Sequence, residues 1–253
     1  MGHRSIVVMN FSQVYDNETF YEQKDVEWID CTDVQGTNCY CDENACRLLI
    51  EKINKFTPNG IHFIDSGNYH YMSKLWTDKI KIPFNLIIFD HHPDMQPPLF
   101  DNFISCGCWV KNVLDLNPFL KKVIILGISD SYLDKVSGKY MGKMICYGES
   151  QLKNDQTWQK IAQEHISGPV YISIDKDVLN EESAATNWDQ GSMSLNQMKV
   201  LLNMIFQNHE VIGVDICGEC SPTCIISKDN RNNNLNDRTN RELLEMIILL
   251  KTN

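Results

Sequence analysis

The sequence predicts an α/β protein, a three-layer α/β/α sandwich around a mainly parallel sheet. Short runs rich in Ile and Val alternate with longer amphipathic stretches, the pattern of strands joined by helical crossovers. The apolar runs are hardly broken by polar residues, as expected of strands covered on both faces. No internal repeat or dividing linker is visible, so residues 1–253 read as a single domain.

The expected strands are Ser5–Asn10, Ile61–Asp65, Leu86–His91, Val123–Ser129, Met144–Tyr147, Val170–Asp175 and Val211–Ile216. Between them lie the expected helices. Asp42–Phe56 opens on acidic residues and sets Leu48, Leu49 and Ile53 on one side. The others are Met72–Ile80, Trp109–Leu114, Asp155–His165, Ser194–Gln207 and Thr239–Leu250. The Asn- and Asp-rich stretch Lys228–Asn240 reads as a surface loop before the last helix.

Composition removes several classes of function. The net charge is -10, from 33 acidic and 23 basic residues with no basic cluster, which argues against a nucleic-acid partner. No run approaches the ~20 apolar residues of a membrane span. The start, MGHRSIVVMNF, lacks the long apolar core and cleavage site of a secretory signal, so a soluble, cytoplasmic protein is expected. The ten cysteines are then expected to be reduced. Cys39, Cys41 and Cys46 form one group and Cys217, Cys220 and Cys224 another, but their uneven spacing does not predict a structural zinc site.

The chemistry concentrates at strand ends. Phe89-Asp90-His91-His92-Pro93-Asp94 follows the apolar run Leu86–Ile88, so Asp90 falls at a carboxyl-terminal strand edge, where parallel sheets bind ligands. In an extended chain Asp90, His92 and Asp94 project to one side, a donor set suited to a hard or borderline divalent ion. Tyr171–Asp177 repeats the theme, with Asp175 and Asp177 spaced by two after an apolar strand. Two carboxylates that close resist joint ionisation without a cation. His70, in Ser66-Gly67-Asn68-Tyr69-His70, belongs to the same rim. Four Asp carboxylates and two neutral imidazoles sum to -4, which two divalent cations balance.

Gly67–His70, Asp90–Asp94, Ser173–Asp177 and Asp215-Ile216-Cys217-Gly218-Glu219-Cys220-Ser221-Pro222, in that order, resemble the motifs of the arginase superfamily of ureohydrolases. The resemblance implies the arginase–deacetylase type of fold and two Mn²⁺ ions. One ion would be held by His70, Asp90, Asp94 and Asp175, the other by His92, Asp90, Asp175 and Asp177. It further implies attack of a metal-bridging hydroxide on a guanidinium carbon, with Asp94 passing a proton to the leaving amine and Glu219 anchoring the cationic substrate. The substrate is then a small guanidino or amide compound, and relatives commonly form homo-oligomers.

Departures from the family pattern are equally legible. Tyr69 stands where relatives carry Asp before the first ligand histidine, and Asp177-Val178-Leu179-Asn180-Glu181 lacks the usual final Asp-Pro. The spacing from Asp215 to Glu219 is one residue longer than in typical arginases. Ile104-Ser105-Cys106-Gly107 replaces a segment whose histidine shuttles protons or binds substrate, which makes Cys106 a candidate reactive thiol, a substrate contact or a small buried residue. Gln96, Asn102 and Ser105 lie where relatives contact a substrate head group, and Trp188 and Asp189 where they shape the pocket. Two other readings stay open: a one-zinc amide deacetylase of the same fold, and a non-catalytic metal-binding relative.

Overall fold

The computed structural model describes residues 5–98, 100, 103–133, 140, 142–154, 157–158, 161, 166–220 and 231–252. Its main sheet has eight strands: β1 (Ile6–Asn10), β2 (Val26–Asp30), β4 (Ile61–Phe63), β5 (Phe84–Phe89), β7 (Leu120–Ile128), β8 (Met144–Gly148), β9 (Val170–Asp175) and β10 (Val211–Cys217). All pair in parallel, in the spatial order β2-β1-β4-β10-β9-β5-β7-β8. The short strands β3 (Tyr40–Cys41) and β6 (Ile104–Ser105) form a separate antiparallel pair. The principal helices are α1 (Glu43–Ile53), α2 (Met72–Thr77), α3 (Trp109–Leu116), α4 (Asp130–Leu133), α5 (Leu195–Asn208) and α6 (Arg231–Thr252).

Strand alternation builds the three layers. Leu86 and Ile88 of β5 pack into the core that holds Leu49 of α1, Trp76 of α2 and Trp109 of α3. Ile87 and Phe89 face the opposite core, with Leu202 of α5 and Leu244 of α6. Asp42 caps α1 by accepting the Ala45 N–H at 2.9 Å, and Ser194 with Gln197 forms a capping box at the start of α5.

All seven expected strands are present, with shifted ends. The sequence pattern did not reveal β2, an edge strand whose Glu27 and Trp28 face outward, nor the two-residue pair β3 and β6. Leu48 is exposed, while Leu49 and Ile53 carry the buried face of α1. Most of the expected helix Asp155–His165 lies outside the described residues. The Asn-rich stretch is corrected: residues 228–230 lie outside the described set, but from Arg231 onward it is the first part of α6. Tertiary bonds override its weak helix propensity. Asn236 bonds both the N–H and the carbonyl of Ala185, at 2.9 and 2.8 Å, and Asp237 accepts the N–H groups of Thr19 and Phe20.

The chain moves outward from β4 to β5, β7 and β8, then returns to insert β9 and β10 between β4 and β5. The carboxyl ends of β4, β10, β9 and β5 thus line one crevice, the place where an open parallel sheet binds its ligands.

Beneath α2 the sheet carries a polar interior. His62 of β4 is fully buried, stacked on Trp76 at 3.8 Å and hydrogen-bonded to the Tyr171 hydroxyl at 3.1 Å. Asp215 is its register neighbour on β10, and the charges of Lys251 and Lys79 act from farther away. Burial lowers the imidazole to about 3. Unfolded histidine titrates near ~6.5, so between these values the unfolded chain binds the extra proton. Stability therefore falls as pH drops below ~6.5, by about 2 kcal/mol at pH ~5 from this group. Urea unfolding at the two pH values should show a His62→Phe variant losing that part of the slope; an unchanged slope removes His62 as its source.

Candidate metal centre

The turn after β4 is set by Asp65, which adopts φ 61. Its carboxylate accepts the N–H groups of Phe11 and Ser12 at 2.9 and 2.8 Å, and the Ser12 hydroxyl and Ser66 N–H at 2.7 Å each. The short turn Gly67–Tyr69 then delivers His70. A Cβ at Gly67 would lie 2.9 Å from Asp175 Oδ2 and 3.0 Å from Trp188 Cδ1, so glycine is what lets this turn press against the centre.

After β5 the chain does not remain extended: Asp94 takes the left-handed φ of 50. Its Oδ2 accepts Trp109 Nε1–H at 2.6 Å, which fixes the carboxylate plane. At the end of β9 Asp175 Oδ1 accepts the Asp177 N–H at 3.0 Å and starts the turn Lys176–Val178. Asp177 Oδ1 in turn accepts the His91 N–H at 3.0 Å, tying the β9 and β5 ends together.

All six predicted ligand residues converge. His70 Nδ1 lies 3.3 Å from Asp90, 3.2 Å from Asp94 and 3.4 Å from Asp175. His92 Nδ1 lies 2.8 Å from Asp177 and 3.7 Å from Asp90. The atoms fall into compact donor groups, His70–Asp90–Asp94 and Asp90–His92–Asp177, which share Asp90. Asp90 is buried, and its Oδ2 has no hydrogen-bond partner. Burying an unpartnered charged oxygen is costly, and a divalent cation removes that cost. This oxygen- and imidazole-rich donor set fits such an ion.

The electrostatics show the same strain. Burial, then the charges of Asp175 and Asp90, push the Asp177 carboxyl well above the usual carboxylate range. Burial raises Asp175 as well. Burial also works against ionisation of Asp90, but the neighbouring imidazoles of His70 and His92 hold it low. Both imidazoles are raised despite burial, His70 by the charge of Cys217 and then by Asp90 and Asp94, and His92 by Asp177 and Asp90. Positive charge is what this cluster lacks.

Supporting residues that the sequence did not announce stand behind these. His70 Nε2 meets Ser173 Oγ at 2.9 Å, and Ser173 and Ser73 hydroxyls donate to Asp215 Oδ1 at 2.6 and 3.0 Å. This chain orients the ring from β9, α2 and β10. Tyr69, where an Asp was the family expectation, instead stacks on Phe11 at 4.2 Å. Asp189 Oδ1 lies 3.0 Å from His92 Nε2, and Trp188 packs edge-on against the same ring at 5.9 Å. The alternation of Ser173 with Asp175, and of Asp215 with Cys217, was the available signal for the partners on the two strands.

A cavity of about 500 Å³ opens over the centre. Gln96, Ser105 and Cys106 form part of its wall, with Tyr132 and Trp188 opposite the carboxylates; Asn102 lies outside the described residues. Among the described residues no Lys or Arg lines it. Cys106 is half-buried, and its thiol hydrogen-bonds that of Cys39, which raises Cys106 and lowers Cys39 to about 7. Cys106 thus keeps its proton.

Glu219 requires a correction. It is fully buried and absent from the cavity wall. Its Oε1 pairs with the buried Lys176 ammonium and accepts Asn240 Nδ2 at 2.8 Å. Lys176, held between two site carboxylates in sequence, points inward to this pair and to Asn240 Oδ1 at 3.0 Å. Gly218, at φ 93, directly precedes the glutamate. No group of three cysteines gathers among the described residues, and Cys224 lies outside them.

A family model described as the arginase family matches residues 3–234. The chain belongs to the arginase family. An uncharacterised protein of Thermotoga maritima is 32% identical over 175 residues, covering 68% of this chain and 64% of that protein, so the match spans less than two thirds of the relative. Among solved structures, proclavaminate amidino hydrolase from Streptomyces clavuligerus superposes with TM-score 0.68 at 15% identity, over 96% of this chain and 91% of that one. Formimidoylglutamase from Bacillus subtilis gives 0.67 at 14%, over 97% and 86%. Arginase from Bacillus subtilis gives 0.64 at 16%, over 96% of each. At such identity these matches establish a shared fold. No helix among the described residues is long and apolar enough to cross a membrane.

Proposed function

We propose that this chain is a binuclear metal-dependent hydrolase that cleaves a C–N bond of a guanidino compound. The observation that carries the reading is the convergence of six ligand-type residues, from three strand ends, in one buried cluster about Asp90. His70, Asp90, Asp94 and Asp175 would hold one ion and His92, Asp90, Asp175 and Asp177 the other, with Mn²⁺ as the expected metal. When bound, such ions supply hydroxide at neutral pH by lowering the pKa of water.

The chain's own residues then have distinct tasks. The carboxylate-rich floor and a wall without described Lys or Arg favour a cationic group over an anionic one. Trp188 and Tyr132 exclude water from one side of the reacting carbon. Asp94, locked by Trp109, carries a proton toward the departing nitrogen. Cys106, a protonated thiol in the cavity wall, contacts substrate. Cys106→Ala should accordingly raise KM about 10-fold, the worth of one neutral hydrogen bond, and leave kcat nearly intact; loss of kcat alone would assign it a proton-transfer task. The one-zinc reading leaves His70 and Asp94 without a purpose.

The test is release of urea, ammonia or the corresponding amide from a panel of guanidino acids, guanidino amines and amidines by Mn²⁺-loaded protein. Turnover of at least one, abolished by Asp94→Asn, is expected. A fully metallated chain inert toward the whole panel would contradict the proposal.

A further inference from the structure

Cys217 is a residue for which neither the fold nor the proposed reaction has yet supplied a use. It ends β10, is fully buried, and lies in parallel register directly beside Asp175. Strand alternation puts it on the same face as Asp215, whose carboxylate steadies Ser173 and through it His70. Asp175 shares that face with Ser173 on the neighbouring strand. The result is that Cys217 Sγ sits 3.2 Å from Asp175 Oδ2, and within 4.8 Å of ligand atoms of both His70 and Asp175.

Gly218 makes this approach possible. A Cβ there would fall 2.5 Å from Asp175 Oδ1 and 2.6 Å from the Lys176 N–H nitrogen, so any other residue would push β10 away from the centre.

We infer that Cys217 is a sulfur ligand on the His70 side of the metal centre, and that this side favours zinc or cobalt more strongly than the sulfur-free side around His92 does, with Mn²⁺ still able to fill both. The inference rests on the metal-centre reading above. As the metal–sulfur bond forms, the thiol gives up its proton, and the thiolate then joins His70 and Asp175 around the ion. Thiolate donors select zinc, cobalt or iron over manganese, which carboxylate and imidazole donors accept readily. The second group, Asp90–His92–Asp177, contains no sulfur and keeps the ordinary hard-ion preference.

Cobalt(II) loading of the metal-free chain gives a direct readout without turnover. The expected result is thiolate-to-cobalt charge-transfer absorption in the near ultraviolet, absent in Cys217→Ser and in Cys217→Ala and retained in Cys106→Ala. In parallel, Cys217→Ser should weaken zinc binding at least ~10-fold while manganese binding changes far less. Cobalt binding with no sulfur band, or with a band that survives both Cys217 replacements, overturns this inference and leaves the metal centre standing. A chain that retains no divalent ion refutes the centre and the sulfur ligand together. Circular dichroism and unfolding curves of the two Cys217 variants establish that a lost band reflects lost coordination in a folded chain.

Discussion

Replacing Asp90 with alanine will strip both ions from the protein and abolish turnover. Asp90 is the residue common to the two donor groups, with His70 Nδ1 at 3.3 Å on one side and His92 Nδ1 at 3.7 Å on the other. Its removal would take a ligand from each ion. The loss should exceed the ~100-fold typical of changes behind the ligands, such as Ser173→Ala. Elemental analysis after dialysis, together with single-turnover assays, checks this. The fold should survive, because Asp90 contributes no packing and its removal relieves a buried charge in the metal-free chain. An Asp90→Ala protein that keeps two ions would separate the donor groups and undo the shared-ligand assignment.

The largest effect on stability is expected away from the metals. Lys176, Glu219, Glu18 and Asn240 form a buried set linking β9, β10, the segment before β2 and α6. Burial, then the charge of Glu219, raises Glu18 well above the usual carboxylate range. Lys176→Met removes the only cation of the set and should cost about 3–5 kcal/mol, as broken buried pairs do. The double replacement Lys176→Met with Glu219→Leu should recover much of that loss, a coupling measurable by urea unfolding in a double-mutant cycle. The same cycle separates two roles for Glu219. As a brace, its change to Gln lowers stability; as a substrate anchor, it would raise KM with stability unchanged. The buried geometry predicts the first outcome.

The candidate metal centre was legible because its residues lie in short, ordered motifs at strand ends. Apolar runs such as Leu86–Ile88 locate the edge, and spacing by two brings carboxylates to one place. What lay beyond reach depended on contacts between strands. Ser173, Asp215 and Cys217 acquire meaning only once β9 and β10 are neighbours in register, which no local pattern encodes. Glu219 was expected as a substrate anchor from the family motif, and its burial against Lys176 and Asn240 depends on contacts that the motif does not encode. Asn236 read as a loop residue and Thr239 and Asn240 as the junction with the last helix, yet each is buried within α6 through bonds to distant backbone or side chains. Local propensity was correct about their weakness as helix formers and silent about those bonds.

The central claim, a two-ion hydrolytic centre, is tested most directly by titrating the metal-free chain with Mn²⁺ while measuring both bound metal and guanidine hydrolysis. The account predicts that hydrolysis rises with occupancy of the second site and saturates at two ions per chain. Saturation of activity at one ion per chain, with no further binding, would contradict it.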